Sequence, residues 1–404
     1  MVHTETLKAH PYVSQTRFLL QAAMLIFAYT VVIGILNGTD LVDFGHKTLL
    51  THVHTGTLGW ITTSVFAAAL WLFGATPGLG WRDSFARTLP YATVLAVVAY
   101  NIAFLATTGS ARPTMGGFML LVILGWVIWI FGSARSSVLS VPRLGILAAV
   151  TTLTFGGLLG VLLGVMIATG NDILPGDAYA SHPATMVIGF LIPVGMALAE
   201  WNVRPELLEQ RATRSGWLQI GLPFIGGICV TAGLLADSPP LISLSLPFEV
   251  IGVGIFVKRL WPGLRRVDRA RATSGFVASP TVLWLVLNIM MFIYLIVRFQ
   301  GDLDDVRPGL FLALDHMMFI GVISNSLFAQ VRAAAPDAKP AAVRVLFYAM
   351  NVGLAGFVLG LLADTAILKQ IFTPLMGLGI LHGIALFTMA LRKPTATVVP
   401  PTPA

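Results

Sequence analysis

His52-Val-His54-Thr-Gly-Thr-Leu-Gly-Trp60 combines two imidazoles, two residues apart, with an apolar run long enough to enter a membrane. Imidazole is expensive to bury there, and where it occurs it marks an ion path, a proton path or a metal. On a helix, positions i and i+2 lie about 200° apart at roughly 100° per residue. His52 and His54 therefore point to opposite sides and serve different neighbours. His182, His316 and His382 are the other histidines within apolar stretches. Neutral imidazole is a good axial ligand for haem iron.

The elements that must position these groups are membrane helices. Apolar residues make up 56% of the chain and charged residues 11%, far below the roughly 25% charge of a soluble domain. Twelve runs of spanning length occur, near 17–37, 49–74, 88–108, 115–134, 143–168, 181–201, 215–235, 240–260, 279–298, 309–331, 341–363 and 371–391. Each is close to the ~20 residues a bilayer core requires. The expected fold is an all-α integral membrane protein: a cytoplasmic segment 1–16, a twelve-helix domain 17–392, and a disordered Pro/Thr-rich tail 393–404. The first run, behind a polar segment and without a small-x-small cleavage site, reads as a helix that is retained. The single Cys229 excludes an internal disulfide.

The formal net charge of +7 reads as topology, with no nucleic-acid partner expected. All but five of the 25 Lys and Arg fall in the even-numbered loops and the terminal segments; the exceptions are Lys47, Arg112, Arg298, Arg307 and Lys369. The positive-inside rule then places both termini in the cytoplasm. Spans 2, 6 and 10 begin at the outer face, in a multi-pass protein of a bacterial inner membrane.

A weak repeat organises the histidines. With Gly59, Gly189 and Gly321 in register, His182 matches His52 seven residues before the glycine, and His316 matches His54 five residues before it. A period near 131 residues holds four spans, so the expected units are about 17–134, 143–260 and 279–391, forming three four-helix arcs with pseudo-threefold symmetry.

Twelve spans in three arcs, with histidines near the outer ends of spans 2, 6 and 10, resemble the catalytic subunit of the haem-copper oxidase superfamily, which includes the nitric oxide reductases. The segment from His52 to Trp60 is similar to the haem-ligand segment of the cbb-type oxidases, which there lies on helix 10. The resemblance implies a b-type haem protein, with one or two haems on His52, His54, His182 and His316. It implies electron transfer or the handling of a gas such as nitric oxide or oxygen, with an electron donor or partner membrane subunit. It pairs His54 with His316 on one iron, and His52 with His182 at a second centre. Copper is not expected: the oxidases use a His-His pair on helix 7, and span 7 here has no histidine. No Cys-x-x-Cys-His is present for covalent haem attachment. The NnrS family of membrane haem proteins is a second resemblance, through a His-x-His at a helix mouth. A different class is a twelve-helix transporter with a histidine proton or metal path, which predicts helices broken at mid-membrane.

Among other polar residues, Glu249 after Pro247 is a proton-path candidate or a buried hydrogen-bonded acid. His382 is a further ligand or a histidine bonded to a carbonyl. Asp315 is expected to serve another helix or the outer water, and Glu200 to be solvated. Arg112, Arg298 and Arg307 could pair with haem propionates but read first as surface charge. Trp60, Trp71, Trp81, Trp201 and Trp261 are expected in interfacial belts.

Overall fold

The computed structural model describes residues 10–75, 80–299 and 305–392. Twelve of its helices are long and apolar enough to cross a membrane: α1 (Val13–Gly38), α2 (His46–Phe73), α3 (Trp81–Ala106), α4 (Ala111–Ala134), α5 (Val141–Thr169), α6 (Ala178–Val203), α7 (Arg214–Leu235), α8 (Pro239–Leu264), α9 (Ser274–Arg298), α10 (Pro308–Ala334), α11 (Pro340–Leu362) and α12 (Ala366–Arg392). The expected tail 393–404, most of the segment 1–16, Asp302 and Asp304 lie outside the described residues. Several helices start earlier than the apolar runs: α2 at His46, α3 at Trp81 and α12 at Ala366. Lys47, Arg82, Arg87 and Lys369 depress the hydropathy of these first turns, yet long basic side chains reach the interface from inside a helix.

The three histidine helices form the centre. Within their apolar windows α2, α6 and α10 are 78%, 83% and 67% buried, and no other span exceeds 50%. Trp60 Nε1 of α2 donates to Ser324 Oγ of α10 at 3.0 Å, and Val322 of α10 packs at Gly195 of α6. The end carrying the histidines is called below the histidine face, and the opposite end, where α1 begins and α12 finishes, the terminal face. Trp60 and Trp201 are core residues at 1% and 8% exposure, whereas Trp81 and Trp261 are exposed. Their positions near helix ends had pointed to interfacial belts; packing on the central helices removes the first two from the lipid.

All three central helices widen into a π-helical turn at one register: Thr55–Thr62, Thr185–Leu191 and Met317–Ser324. Each begins four residues before its repeat glycine. The chemistry four residues after the glycine helps explain the turns. There stand Thr63, Pro193 and Asn325. Pro193 has no N–H to donate to the Gly189 carbonyl, and Thr152 Oγ1 of α5 donates to that carbonyl at 2.6 Å. Asn325 Nδ2 donates to the Gly321 carbonyl at 2.9 Å, and Thr63 Oγ1 to the Leu58 carbonyl at 2.9 Å. Side chains thus serve carbonyls of each wide turn, as an insertion into the helical ladder requires.

The glycines let α1, α5 and α9 approach. A Cβ on Gly59, Gly189 or Gly321 would strike Ile26, Thr152 or Trp284 respectively. These three contact residues set a second register, on α1, α5 and α9, that matches the first.

The chain ahead of α1 is anchored on the terminal end of α2. His10 stacks on Trp71 with ring centroids 4.1 Å apart. Its Nε2–H donates to the Trp71 carbonyl at 3.1 Å, and its Nδ1 accepts from the Tyr12 amide at 3.3 Å. Both nitrogens are used by the neutral ring, and burial lowers the His10 pKa from 6.5, partly offset by the Trp71 bond.

Two outcomes follow from these contacts. Thr152→Val removes the side-chain donor at the Pro193 gap and should cost about 1–3 kcal/mol, read as a lowered melting temperature in detergent. Thr151→Val, whose hydroxyl bonds only within its own helix, should cost far less. For His10 the folded pKa lies below the unfolded value of 6.5, so the unfolded chain binds the extra proton. Stability should fall as pH drops through 6.5 towards the folded pKa, and His10→Gln should flatten that part of the melting-versus-pH curve.

Candidate functional site

The four histidines of α2, α6 and α10 fall into two conformational pairs that follow their register. At the position seven before the glycine, the ring turns to the preceding long helix: His52 Nδ1–H donates to the Thr30 carbonyl at 2.9 Å, and His182 Nδ1–H to the Gly156 carbonyl at 2.8 Å. At the position five before it, the ring turns back on its own helix: His54 Nδ1–H donates to Leu50 and His316 Nδ1–H to Leu312, both at 2.8 Å. A carbonyl only accepts, so Nδ1 carries the proton in all four. Nε2 then presents a lone pair, and among the described residues it has no hydrogen-bond partner in any of the four. An imidazole oriented by a carbonyl on one nitrogen, with the other free, is prepared to bind a metal.

Small residues make room for the first kind of ring. A Cβ on Gly34 would lie 3.3 Å from His52 Cε1, and on Gly160 2.9 Å from His182 Cε1. Gly34 is four residues beyond Thr30, and Gly160 four beyond Gly156. In the third repeat the corresponding residues are Asn288 and Phe292, and Leu314 replaces the histidine. There the bond runs the other way, with Asn288 Nδ2 donating to the Leu314 carbonyl at 2.8 Å.

The structure brings the four histidines together in a different combination from the expected one. His52 and His316 line one cavity of about 340 Å³, together with residues of α1, α11 and α12; His54 and His182 do not line it. His54 instead lies within electrostatic reach of His182 and Arg112, as His316 does of His52. The pairs are therefore His52 with His316, and His54 with His182. The resemblance had favoured His54 with His316. Side-chain azimuth overrules it, because a ring turned to the preceding helix meets a ring turned back on its own helix from the neighbouring repeat. Each pair joins position seven of one repeat to position five of another. The remaining combination is Leu314 of α10 and Ala184 of α6, and it has no ligating side chain.

Beside His54, the tilted rings of Phe104 and Tyr100 lie at 4.3 and 5.6 Å between ring centroids, and the Phe357 ring lies 4.8 Å from that of His316. Asp315, half-buried, lines the His52/His316 cavity among residues of α1, α11 and α12. Thr30 Oγ1, also in the lining, is buried without a partner. Among the described residues no group of three His, Cys, Asp or Glu side chains forms a metal-binding cluster.

Each pair has a cation near the first turn of a peripheral helix. Arg112 at the start of α4 is 8% exposed, against its reading as surface charge. It donates to the Phe104 carbonyl at 2.7 Å and lies over the Phe104 ring, while its buried Nε has no partner. Lys369 at the start of α12 lines the other cavity and donates to Asp40 at 2.6 Å. Arg298 and Arg307 are exposed, and Arg307 pairs with Asp364. Sequence reasoning missed Lys369, Gly34, Gly160 and the acceptor carbonyls. Extending the glycine register to spans 1, 5 and 9 was the signal available for the glycines.

The remaining candidates lie outside both pairs. His382 is bonded at 3.1 Å to the Ala342 carbonyl. Glu249 is 1% exposed and accepts from Ser245. Glu200, expected in water, is 1% exposed and accepts from Arg259 at 2.6 Å, because α7 and α8 cover its end of α6. The central helices run unbroken from end to end, each with one π-helical stretch.

The Lys369 contact and a second hydrogen bond from Gln370 lower the Asp40 pKa from 3.8. Its carboxylate is thus favoured above that pH, and the pairing is lost as pH falls through the lowered value. Lys369→Met should return Asp40 towards 3.8, read from the carboxyl infrared band or ¹³C shift against pH.

Comparison with known proteins adds no relative: no protein-family model matches the chain, and no curated protein matches it either.

Proposed function

We propose that this chain is a b-type haem protein of the membrane with two bis-histidine haems, one between His52 and His316 and one between His54 and His182. The observation that carries the reading is the common state of the four imidazoles, each with Nδ1–H held on a carbonyl and Nε2 left free, arranged as two pairs. Two imidazoles alone do not complete a coordination sphere. A planar macrocycle brings the other four donors, and haem with two axial histidines is the standard case. The glycines opposite His52 and His182 clear the space that the imidazole rings occupy in this orientation. Arg112, with an unpartnered Nε, and Lys369 suit its carboxylates at the histidine face.

When bound, the haem supplies a one-electron redox change. The residues do the rest. The histidines orient through their carbonyl bonds, and Trp60, Phe357, Phe104 and Tyr100 exclude water. With His52 and His316, and His54 and His182, each holding a haem from two sides, the residues would favour electron transfer over binding of nitric oxide or oxygen. It is a divergent counterpart of the haem-copper oxidase catalytic subunit, arranged as three arcs. The distribution of Lys and Arg supports cytoplasmic termini in a bacterial inner membrane, and so an electron donor or partner subunit meeting the histidine face.

Pyridine haemochrome analysis of purified protein should give two haems b per chain, and metal analysis iron without stoichiometric copper. His52→Ala and His316→Ala should remove one and the same low-spin spectral component. His54→Ala and His182→Ala should remove the other. Gly160→Ala, which crowds His182, should weaken only the second. Absence of haem after expression in haem-replete cells would end this reading; loss of one common component in His54→Ala and His316→Ala would overturn the pairing.

A further inference from the structure

A groove of about 550 Å³ lies on the outside of the bundle between α11 and α12. It follows α11 from Ala341 to Val352, and Leu375 of α12 walls its far end. The α11 members recur at three- and four-residue steps, which puts them on one face of the helix. Val345, Tyr348 and Val352 are 53%, 54% and 50% exposed. Beneath them the two helices touch: a Cβ on Gly379 would lie 2.6 Å from Ala349 Cβ, and on Gly383 2.7 Å from Leu346.

The length of the groove selects its occupant. From Ala341 to Val352 the helix rises about 16 Å, roughly half of the ~30 Å hydrocarbon core. The groove opens in the first turn of α11, at the terminal face, and ends near mid-membrane. It therefore spans one leaflet. A membrane helix of a partner would need a track through both.

Arg344 is the charged member of the lining, near the open end. One of its terminal nitrogens donates to the Ala270 carbonyl at 2.7 Å. Its other two nitrogens have no partner among the described residues. Ala270 belongs to the loop between α8 and α9, which carries exposed Arg265, Arg266, Arg269 and Arg271. The acid in that loop, Asp268, pairs with Arg271 at 3.5 Å. The loop is held at the mouth of the groove without a ligand: Arg332 Nε donates to the Ala272 carbonyl at 3.0 Å, and Phe276 at the start of α9 stacks on Phe347 of α11 at 4.0 Å. Basic loops alone follow from membrane topology. What distinguishes this place is an apolar track, one leaflet long, that ends at a guanidinium with free donors.

We propose that the groove binds an anionic phospholipid of the leaflet at the terminal face, with an acyl chain along Val345, Tyr348, Val352 and Leu375 and its phosphate at Arg344 beside the arginines of residues 265–271. The planar guanidinium fork suits a phosphate, and basic residues at a membrane face attract anionic headgroups. The inference goes beyond the proposed function and does not depend on haem.

The test uses the full chain, purified in detergent and stripped of lipid, with phosphatidylglycerol or phosphatidylcholine added back. Native mass spectra should show one phosphatidylglycerol retained at collision energies that remove phosphatidylcholine, and the melting temperature should rise saturably with phosphatidylglycerol. Arg344→Gln, which keeps a donor for the Ala270 carbonyl, should weaken phosphatidylglycerol binding about fivefold or more. Val345→Trp, which fills the track without changing charge, should weaken it as well. Arg135→Gln, an exposed charge lost elsewhere on the terminal face, should leave it unchanged. Equal retention of the two lipids, or equal weakening by Arg135→Gln and Arg344→Gln, overturns the proposal. So does full binding by Val345→Trp, which also decides the matter if Arg344→Gln does not fold. Displacement of the lipid by inorganic phosphate at the same concentration would make this an ion site, and a stable dimer dissociated by Val345→Trp would give the groove to a second copy of the chain; either result ends the lipid assignment.

Discussion

An imidazole N–H inside a membrane must have an acceptor, and that requirement organises the centre of this bundle. Leaving a polar group unbonded in an apolar medium costs several kcal/mol. Each of the four central histidines meets the requirement with a backbone carbonyl, from the preceding long helix for His52 and His182, and from its own helix for His54 and His316. The choice of acceptor fixes which way the ring turns. Ring direction then decides which helices share a site, and the bonded Nδ1 leaves Nε2 as the only nitrogen free to bind.

The same constraint reaches the neighbouring helices. α1 and α5 must bring a carbonyl and a glycine to the imidazole, so Thr30 with Gly34 and Gly156 with Gly160 stand at one spacing. Where Leu314 replaces the histidine, the pattern lapses: Asn288 supplies a donor in place of an acceptor, and Phe292 stands where a glycine was needed. Histidine and glycine are present together in the first two repeats and absent together in the third. That concurrence links the two histidine pairs to a common local design, and separates them from His382, whose ring is bonded to a carbonyl on α11 but has no partner histidine.

The π-turns couple this layer to the rest of the helix. Directly inward of the histidines, α2, α6 and α10 each widen, and Thr63 and Asn325, at the fourth residue after the glycine, serve carbonyls of the wide turns in α2 and α10. In α6 the cause is legible: Pro193 cannot donate, and Thr152 does so from outside. Trp60, inside the wide turn of α2, lines the His52/His316 cavity and stacks on Phe27.

Much of this was legible in the sequence because it depends on period and composition. Twelve apolar runs of spanning length, histidines seven and five residues before aligned glycines, and the opposed directions of His52 and His54 all follow from hydropathy and from 100° per residue. Helix starts were placed late where basic first turns lowered the hydropathy. What the sequence could not determine was the azimuth of one helix against another. The resemblance and a common register made His54 and His316 look like partners; rotation of the helices brought His52 near His316 and His54 near His182. Burial of Arg112, Glu200, Trp60 and Trp201 was likewise decided by which helices cover them, a property of packing that no linear pattern within a single span encodes.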